Sequence, residues 1–316
     1  MISAALLLSF GVAAATRGAT WLRGSSWTTA APRLAIAAWQ ALAASVLLSL
    51  LAAGATLSMS LSHVRGDLSS LFNLCAKGLQ QSYASPGGTL VAIVGLAVTG
   101  VVLSRTAWCA FRVLWRERRE RRARLAVLDL VGRADVVPGA LVLEHDAPYA
   151  FCIGGRRPCV VVTQGLLEAL DRDELNAVLA HEAAHLNQRH HLALMVSRTL
   201  FGVLLPFFPA FRAAMPQVLL FAELAADDSA RRHFGTHPLR SALTRLACLP
   251  APSGALAASA TDVETRLRRL DGKPRGLRSH LVILTGLGFA SLVAIPMSLV
   301  AVLTVAMAWE GICFIG

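Results

Sequence analysis

The sequence contains few charged residues for its length, and this scarcity narrows the class of protein. Of its 316 residues, 16% are charged and 55% are hydrophobic, with a mean hydropathy of +0.57. Soluble domains carry roughly 25% charged and about 45–50% apolar residues, so the composition argues against an ordinary soluble enzyme. It also excludes an intrinsically disordered chain, because disorder requires low hydrophobicity and high charge.

Two further absences concern the cysteines and the N-terminus. The six cysteines include no Cys-x-x-Cys pair, which argues against a disulfide or zinc-finger framework. Residues 1–16 contain no Lys or Arg, whereas a secretory signal peptide begins with a positively charged region. We therefore expect the first apolar run to be a membrane span.

Four apolar stretches are long enough, or nearly long enough, to cross a bilayer, which takes about 20 residues. They cover residues 1–16, 34–57, 89–104 (which could extend to 111) and 281–309. The sequence thus predicts a multi-pass α-helical membrane protein of about four spans. Three spans occupy residues 1–111, the fourth occupies 281–309, and 310–316 form a short tail.

The distribution of the charged residues that give the net charge of +11 indicates the membrane topology. Residues 105–280 contain 25 basic and 17 acidic residues, and the 17–33 connection has three Arg and no acid. Since Lys and Arg concentrate in cytoplasmic connections, we expect both segments in the cytoplasm, with both termini and the 58–88 connection outside. The Arg-rich run 112–124 could bind anionic lipid or nucleic acid. We interpret it as a solvated membrane flank and expect no direct nucleic-acid partner.

Residues 112–280 are predicted to form a cytoplasmic α+β domain. Short β-rich runs begin at Leu141, Ala150 and Cys159 and are separated by turn residues, a pattern that predicts a small antiparallel sheet. Asp171 followed by Glu174 is a capping signature for a helix that runs past Leu186. Residues 249–261 are rich in Ala, Ser and Pro and are predicted to form a loop or linker.

The most informative motif is His181-Glu182-Ala-Ala-His185 on this predicted helix. Residues four apart share a helix face, so both imidazoles can reach one metal ion. The alternative is a helix with two ordinary histidines. The apolar run before the motif favours a buried active-site helix, in which Glu182 would address a water that zinc activates.

A catalytic zinc site needs a third protein ligand, and the sequence offers two sources. His191 has the spacing of the metzincin pattern, but Gln188 stands where that pattern requires Gly. We therefore expect His190 and His191 to lie on a helix face near the membrane. Glu223 and Asp227 lie four residues apart on a second predicted helix. Glu223 would be the ligand, and Asp227 would accept a hydrogen bond from the ring N–H of a ligand histidine and so fix its tautomer.

The apolar segment 192–222 separates the two motifs. A single crossing would leave Glu223 on the opposite side of the membrane from His181, and two crossings need about 40 residues. We therefore expect the segment to lie in the inner leaflet or to pack against the spans.

The order of these motifs resembles the gluzincin membrane metallopeptidases. The resemblance rests on Ala150-Phe151, on Pro158 to Thr163, on the segment Asp173 to His185, and on Glu223-x-x-Ala-Asp227. Two branches are similar, the HtpX type and the BlaR/MecR type of antirepressor. Tyr149, where the HtpX pattern usually has Asn, and the order of spans favour the BlaR/MecR branch.

The resemblance implies a Zn²⁺ cofactor and a role for each matching residue. It implies His181, His185 and Glu223 as zinc ligands, Glu182 as the general base, Asp227 as a partner of a ligand histidine, Arg266 as a supporting residue or else part of a surface helix, and the strand at Ala150 and Phe151 as the edge on which an extended substrate pairs.

The BlaR/MecR branch further implies a signal-transducing protease of the β-lactam or cell-wall response. Its substrate would be a cytoplasmic BlaI-type repressor or the chain itself, and a homo-oligomer is an open alternative. The sequence contains no Ser-x-x-Lys acylation site, so β-lactams would not be sensed by acylation of this chain. The alternatives are an HtpX-like membrane quality-control protease and a non-catalytic sensor with structural zinc.

Overall fold

The computed structural model describes residues 2–58, 88–155, 158–249, 260–272 and 279–313. This part contains four helices that are long and apolar enough to cross a membrane, namely Ala4–Gly24, Pro32–Ser58, Leu90–Ala126 and Thr285–Val302. The prediction of a multi-pass helical protein is thereby confirmed. The predicted 58–88 connection and 249–261 linker lie almost entirely outside the described residues.

The first span is longer than the apolar run that predicted it. Helix α1 (Ile2–Ala13) continues through a π-helical stretch (Ala14–Gly18) into α2 (Ala19–Gly24). Helix α3 (Trp27–Ala30) then leads to α4 (Pro32–Ser58). A helix satisfies its backbone hydrogen bonds internally, so it can continue past the exposed Arg17 and Arg23. The connection between the first two spans is therefore shorter than the predicted 17–33.

Helix α4 is the central span of the molecule. It packs against α1, against α5 (Gly88–Val131) and against α12 (Ser279–Cys313). A Cβ atom on Gly95 of α5 would lie 2.8 Å from the carbonyl oxygen of Gly54 in α4. Glycine at position 95 therefore allows the two helices to cross closely, as small residues do between membrane helices.

A four-stranded sheet follows α5. Its strands are β1 (Gly132–Val137), β2 (Ala140–Leu143), β3 (Ala150–Ile153) and β4 (Cys159–Thr163), in the spatial order β1-β2-β4-β3. The prediction of an antiparallel sheet is wrong for one pair, since β2 and β4 run parallel. Strand β3 does not lie between β2 and β4. It lies beyond β4 and pairs with β4 antiparallel, so β2 and β4 are neighbours that run in the same direction. Strand β1 was not predicted.

Between the sheet and α12, the described residues form seven helical segments. They are α6 (Gln164–Ala169), α7 (Arg172–Asn187), α8 (His190–Leu204), a 3₁₀ helix (Pro209–Ala213), α9 (Ala214–Phe234), α10 (Thr236–Ala247) and α11 (Ala260–Asp271). The capping signature is confirmed at the start of α7. The Asp171 carboxylate accepts the backbone N–H groups of Asp173 and Glu174, and Glu174 accepts the backbone N–H of Asp171.

Helix α7 runs past Leu186, as predicted, and ends at the next residue, Asn187. Arg189 has φ 52° and ψ 40°, a left-handed conformation. This residue reverses the local course of the chain before α8 begins at His190. The break changes which of the two adjacent histidines faces the interior.

The apolar segment 192–222 packs against the spans. Gln40 of α4 donates hydrogen bonds to the carbonyl oxygen of Ala193 (2.9 Å) and to Oγ of Ser197 (3.2 Å). The buried Trp39 of α4 makes edge contacts with Phe201 and Phe211. These contacts hold α8 and the 3₁₀ helix against the membrane part of the protein.

Candidate metal centre

Helix α7 brings the two histidines of the motif together. Nε2 of His181 and Nε2 of His185 lie 3.2 Å apart, as expected for residues one helical turn apart. His181 is buried and His185 is partly buried. Both rings therefore present a nitrogen to the same point.

Glu223 of α9 lies at that point. Its Oε2 is 3.3 Å from Nε2 of His181, and its Oε1 is 3.5 Å from Nε2 of His185. Among the described residues, these three side chains form a group whose donor atoms all lie within 4.8 Å of one another. Zinc binds nitrogen at about 2.0–2.1 Å in tetrahedral sites, which separates neighbouring ligand atoms by about 3.3 Å. The donor set fits zinc in both chemistry and spacing.

Asp227 and Arg266 form hydrogen bonds and ion pairs with residues of the donor group. Oδ1 of Asp227 lies 2.9 Å from Nδ1 of His181. Arg266 of α11 donates to both oxygens of Asp227, at 2.8 Å from Nε and 2.7 Å from Nη2. Its Nη1 also lies 3.1 Å from Oε2 of Glu223. Arg266 is buried, so of the two sequence alternatives the structure places it in the interior.

The charges of this centre suit a divalent cation. Three carboxylates converge here, those of Glu182, Glu223 and Asp227, and Arg266 supplies one positive charge. Two negative charges remain when both histidines are neutral. Because isolated buried charges are strongly disfavoured, a group of this kind requires a compensating cation.

The pKa values of these side chains show how a proton can supply part of that compensation. Burial opposes charge on His181, but hydrogen bonds to Asp227 and Glu223 raise its pKa to about 10. Burial likewise opposes ionisation of Glu223, yet its hydrogen bond with His181 and nearby positive charge lower its pKa to about 2. The pKa of Asp227 lies far below its usual range despite burial, chiefly because of the Arg266 charge.

His190 is a residue of the centre that sequence reasoning missed. Its Nδ1 lies 2.9 Å from Nδ1 of His185, and its Nε2 lies 3.0 Å from Oε1 of Gln188. The expectation that His190 and His191 lie on a helix face near the membrane is wrong for His190, because the turn at Arg189 directs it inward, where it is 4% exposed. No sequence signal marked this turn. The ring of His191 instead packs over Gly154, near the end of β3.

Glu182 lies between the donor group and the edge of the sheet. Burial raises its pKa, and its carboxylate interacts with the nearby thiol of Cys152 on β3. Ala150 and Phe151, predicted to form the substrate edge, lie on the same strand and are partly exposed. Burial, followed by the Glu182 charge, raises the pKa of the Cys152 thiol to about 12. The sequence motif gave no sign of this cysteine.

Comparison with known proteins assigns the family. The profile of peptidase family M48 matches residues 115–251. An HtpX protease homologue of Trichormus variabilis is 32% identical over 217 residues, which cover 63% of this chain and 72% of that protein. The chain belongs to peptidase family M48. Its HExxH helix and Glu223 lie within the matched M48 region.

Other M48 relatives match a smaller part of the chain. An HtpX homologue of Salinibacter ruber is 35% identical over 133 residues, or 39% of this chain and 48% of that protein. One from Aquifex aeolicus is 32% identical over 147 residues, which cover 43% of this chain and 47% of that protein. The chain thus spans about half the length of these relatives. They are named HtpX rather than BlaR or MecR, so they support the M48 family without supporting the BlaR/MecR branch. No solved structure matches the chain.

Proposed function

We propose that this M48 protein is a zinc-dependent endopeptidase of the membrane. The observation that carries the proposal is the convergence of His181, His185 and Glu223 on one point, with Glu182 close enough to interact with His181 and Glu223. Family membership supports the same activity. A purely structural zinc site is less consistent with this arrangement, because three protein ligands leave a fourth position open, as catalytic zinc sites do.

Zinc would be held by His181, His185 and Glu223. When bound, it would lower the pKa of a water molecule and polarise the carbonyl group of the peptide. Glu182 would accept the proton of the attacking water and deliver it to the leaving amine nitrogen. Its burial, which raises its pKa, favours a carboxylate that can hold this proton between the two steps.

Strand β3 would bind the substrate. Among the described strands it lies at one end of the sheet, and an extended peptide can add to such an edge through main-chain hydrogen bonds. Ala150 and Phe151 would pair with the peptide. Because Cys152 of the same strand contacts Glu182, a peptide on this edge would pass the catalytic carboxylate.

The proposed site lies close to the membrane, and this suggests the class of substrate. Helix α9, which carries Glu223, packs against the span α4. Membrane proteins, or proteins recruited to the membrane surface on what we propose is the cytoplasmic side, are therefore the favoured substrates. The relatives' names favour an HtpX-like protease. Cleavage of a BlaI-type repressor is the other outcome that a substrate test must distinguish.

The test compares Glu182→Gln with the wild-type protein after purification in detergent. The variant should retain one zinc per chain but lose at least about a hundredfold in peptide cleavage, in line with the contribution of general acid–base catalysis. Glu168→Gln is the matched control, since Glu168 lies exposed on α6. Full proteolysis by Glu182→Gln, or a wild-type protein without zinc, would contradict the proposal.

Substrate identity requires a second assay with the same variants. Reconstituted protein is offered a destabilised membrane protein in one arm and a BlaI-type repressor in the other. We expect Glu182-dependent cleavage in the first arm. Cleavage of the repressor alone would instead support the signalling function that the BlaR/MecR resemblance implies.

A further inference from the structure

A chain of hydrogen-bonding side chains connects the zinc ligand His185 to the first turn of α4. Nε of Arg33 lies 2.9 Å from Oε1 of Gln188. Nε2 of His190 lies 3.0 Å from the same oxygen, and Nδ1 of His190 lies 2.9 Å from Nδ1 of His185. Arg33 belongs to a span, Gln188 and His190 flank the break between α7 and α8, and His185 belongs to the metal centre.

The order of donors and acceptors along this chain is determined by its outer end. Nε of Arg33 can only donate, so Gln188 must direct its carbonyl oxygen towards it. The amide nitrogen of Gln188 then faces the carbonyl oxygen of Ala225, 3.4 Å away. Because Oε1 can only accept, the proton between Gln188 and His190 belongs to Nε2 of His190.

The same reasoning fixes the state of His185. In a neutral imidazole one nitrogen donates and the other accepts. With its proton on Nε2, His190 accepts at Nδ1, and the hydrogen bond between the two Nδ1 atoms must come from His185. His185 therefore carries its proton on Nδ1, and its Nε2 lone pair points towards His181 and Glu223. This is the tautomer that a metal ligand needs.

We propose that Arg33, Gln188 and His190 form a positioning relay that selects the zinc-binding tautomer of His185 and couples the metal centre to α4. This inference rests on the proposed function, because it takes the His181–His185–Glu223 group to be a zinc site. His190 is a positioning residue here, acting through His185. A movement of the first turn of α4 that separates Arg33 from Gln188 would weaken the selection and lower zinc affinity.

The turn at Arg189 makes the relay possible. Its left-handed backbone, with φ 52°, is uncommon for a residue other than glycine and directs His190 into the interior. His191, the next residue, packs over Gly154 outside the relay. The two adjacent histidines thus offer an internal comparison between a relay residue and a control.

The experiment measures zinc affinity of the full-length protein in detergent by competition with a chelator. His190→Leu should weaken zinc binding by about 10- to 100-fold, the usual effect of removing the partner of a metal-bound histidine. The Asn side chain in His190→Asn has as many heavy atoms as the Leu side chain in His190→Leu, but it returns an acceptor close to the position of Nδ1. His190→Asn should therefore recover most of the affinity. His191→Gln should bind zinc as the wild type does.

A second pair of variants tests the outer part of the relay. Gln188→Leu removes the acceptor shared by Arg33 and His190 and should weaken zinc binding several-fold, whereas Gln188→Glu keeps an acceptor and should not. Side-chain ¹⁵N spectra of histidine-labelled protein should show His185 protonated at Nδ1 in the wild type and a mixture of tautomers in Gln188→Leu.

The outcomes separate the relay from the proposed function. Equal zinc affinity for His190→Leu and the wild type, or equal losses for His190→Leu and His190→Asn, would overturn the relay. The Gln188 pair gives the same decision if His190 variants do not fold. A wild-type protein that binds no zinc would overturn both the relay and the zinc-peptidase proposal.

Discussion

The carboxylate of Asp227 lies 2.9 Å from Nδ1 of His181 and 2.7 Å from Nη2 of Arg266, and it is 1% exposed. It therefore joins α7, α9 and α11 at one buried point. An accepting carboxylate fixes the His181 tautomer so that Nε2 faces the metal position. Arg266 in turn offsets the cost of burying that charge.

Asp227→Asn should lower zinc affinity by about 10- to 100-fold. An amide offers His181 a weaker acceptor and leaves Arg266 without an opposite charge at this position. The measurement is the zinc content after dialysis against graded chelator concentrations. Asp271→Asn is the control, because Asp271 forms an exposed ion pair with Arg240, and such pairs contribute little. Zinc binding by Asp227→Asn equal to that of the control would refute the role assigned to Asp227.

Zinc binding should depend on pH in a defined direction. In the metal-free protein the pKa of His181 is raised to about 10, chiefly by hydrogen bonds to Asp227 and Glu223 that outweigh burial. His181 is therefore protonated at pH 7 and must lose this proton to bind zinc. Burial lowers the pKa of His185 to about 3, so His185 is already neutral at pH 7 and need not lose a proton to bind zinc.

The expected result is a rise in zinc affinity of about tenfold per pH unit between pH 6 and 8. Calorimetry in buffers with different ionisation enthalpies should count about one proton released per zinc. Release of two protons would show that His185 is also charged in the metal-free protein. Affinity that does not change with pH would show that His181 is already neutral.

Local sequence patterns predicted the part of the centre that one helix builds. The carboxylate of Asp171 and the His181–His185 spacing act within α7, where the helical repeat alone determines which side chains meet. Glu223 and Asp227 were predicted as a pair on a second helix for the same reason. The four-helix membrane part followed from apolar length, which is also a local property.

Features that depend on the path of the chain were harder to predict. His190 turns inward because Arg189 adopts φ 52°. This conformation is usually predicted from a glycine or an asparagine, and neither residue stands at position 189. The parallel pairing of β2 with β4 depends on β3 lying outside β4, which a pattern of short strands does not encode. Cys152 meets Glu182 only because β3 packs against α7, and such contacts arise from tertiary packing.

Cys152 should react slowly with alkylating reagents, although it adjoins the proposed active site. The thiolate is the reactive form, and burial together with the Glu182 charge raises the pKa of Cys152 to about 12. Mass spectrometry after brief iodoacetamide treatment at pH 7.5 should show modification at the exposed Cys248 well before Cys152. In Glu182→Gln the loss of the carboxylate charge should speed modification of Cys152 and leave Cys248 unchanged. Equal rates at Cys152 in both proteins would contradict the contact.

Two adjacent arginines on α11 should differ sharply in their effect on stability. Arg269 is 18% exposed, donates to both oxygens of Asp228 and also to the carbonyl oxygen of Thr29, so it links α11 to α9 and α3. Arg268 is 68% exposed and pairs only loosely with Glu264 across one helical turn, at 3.4 Å.

Arg269→Ala should lower the free energy of unfolding by about 1–3 kcal/mol, because the partly buried acceptors on Asp228 and Thr29 lose charge-assisted hydrogen bonds. Arg268→Ala should change it by less than about 0.5 kcal/mol, as for exposed helix pairs. Thermal unfolding of both variants in the same detergent provides the measurement. Equal shifts would mean that α11 is not held to the rest of the protein through Arg269.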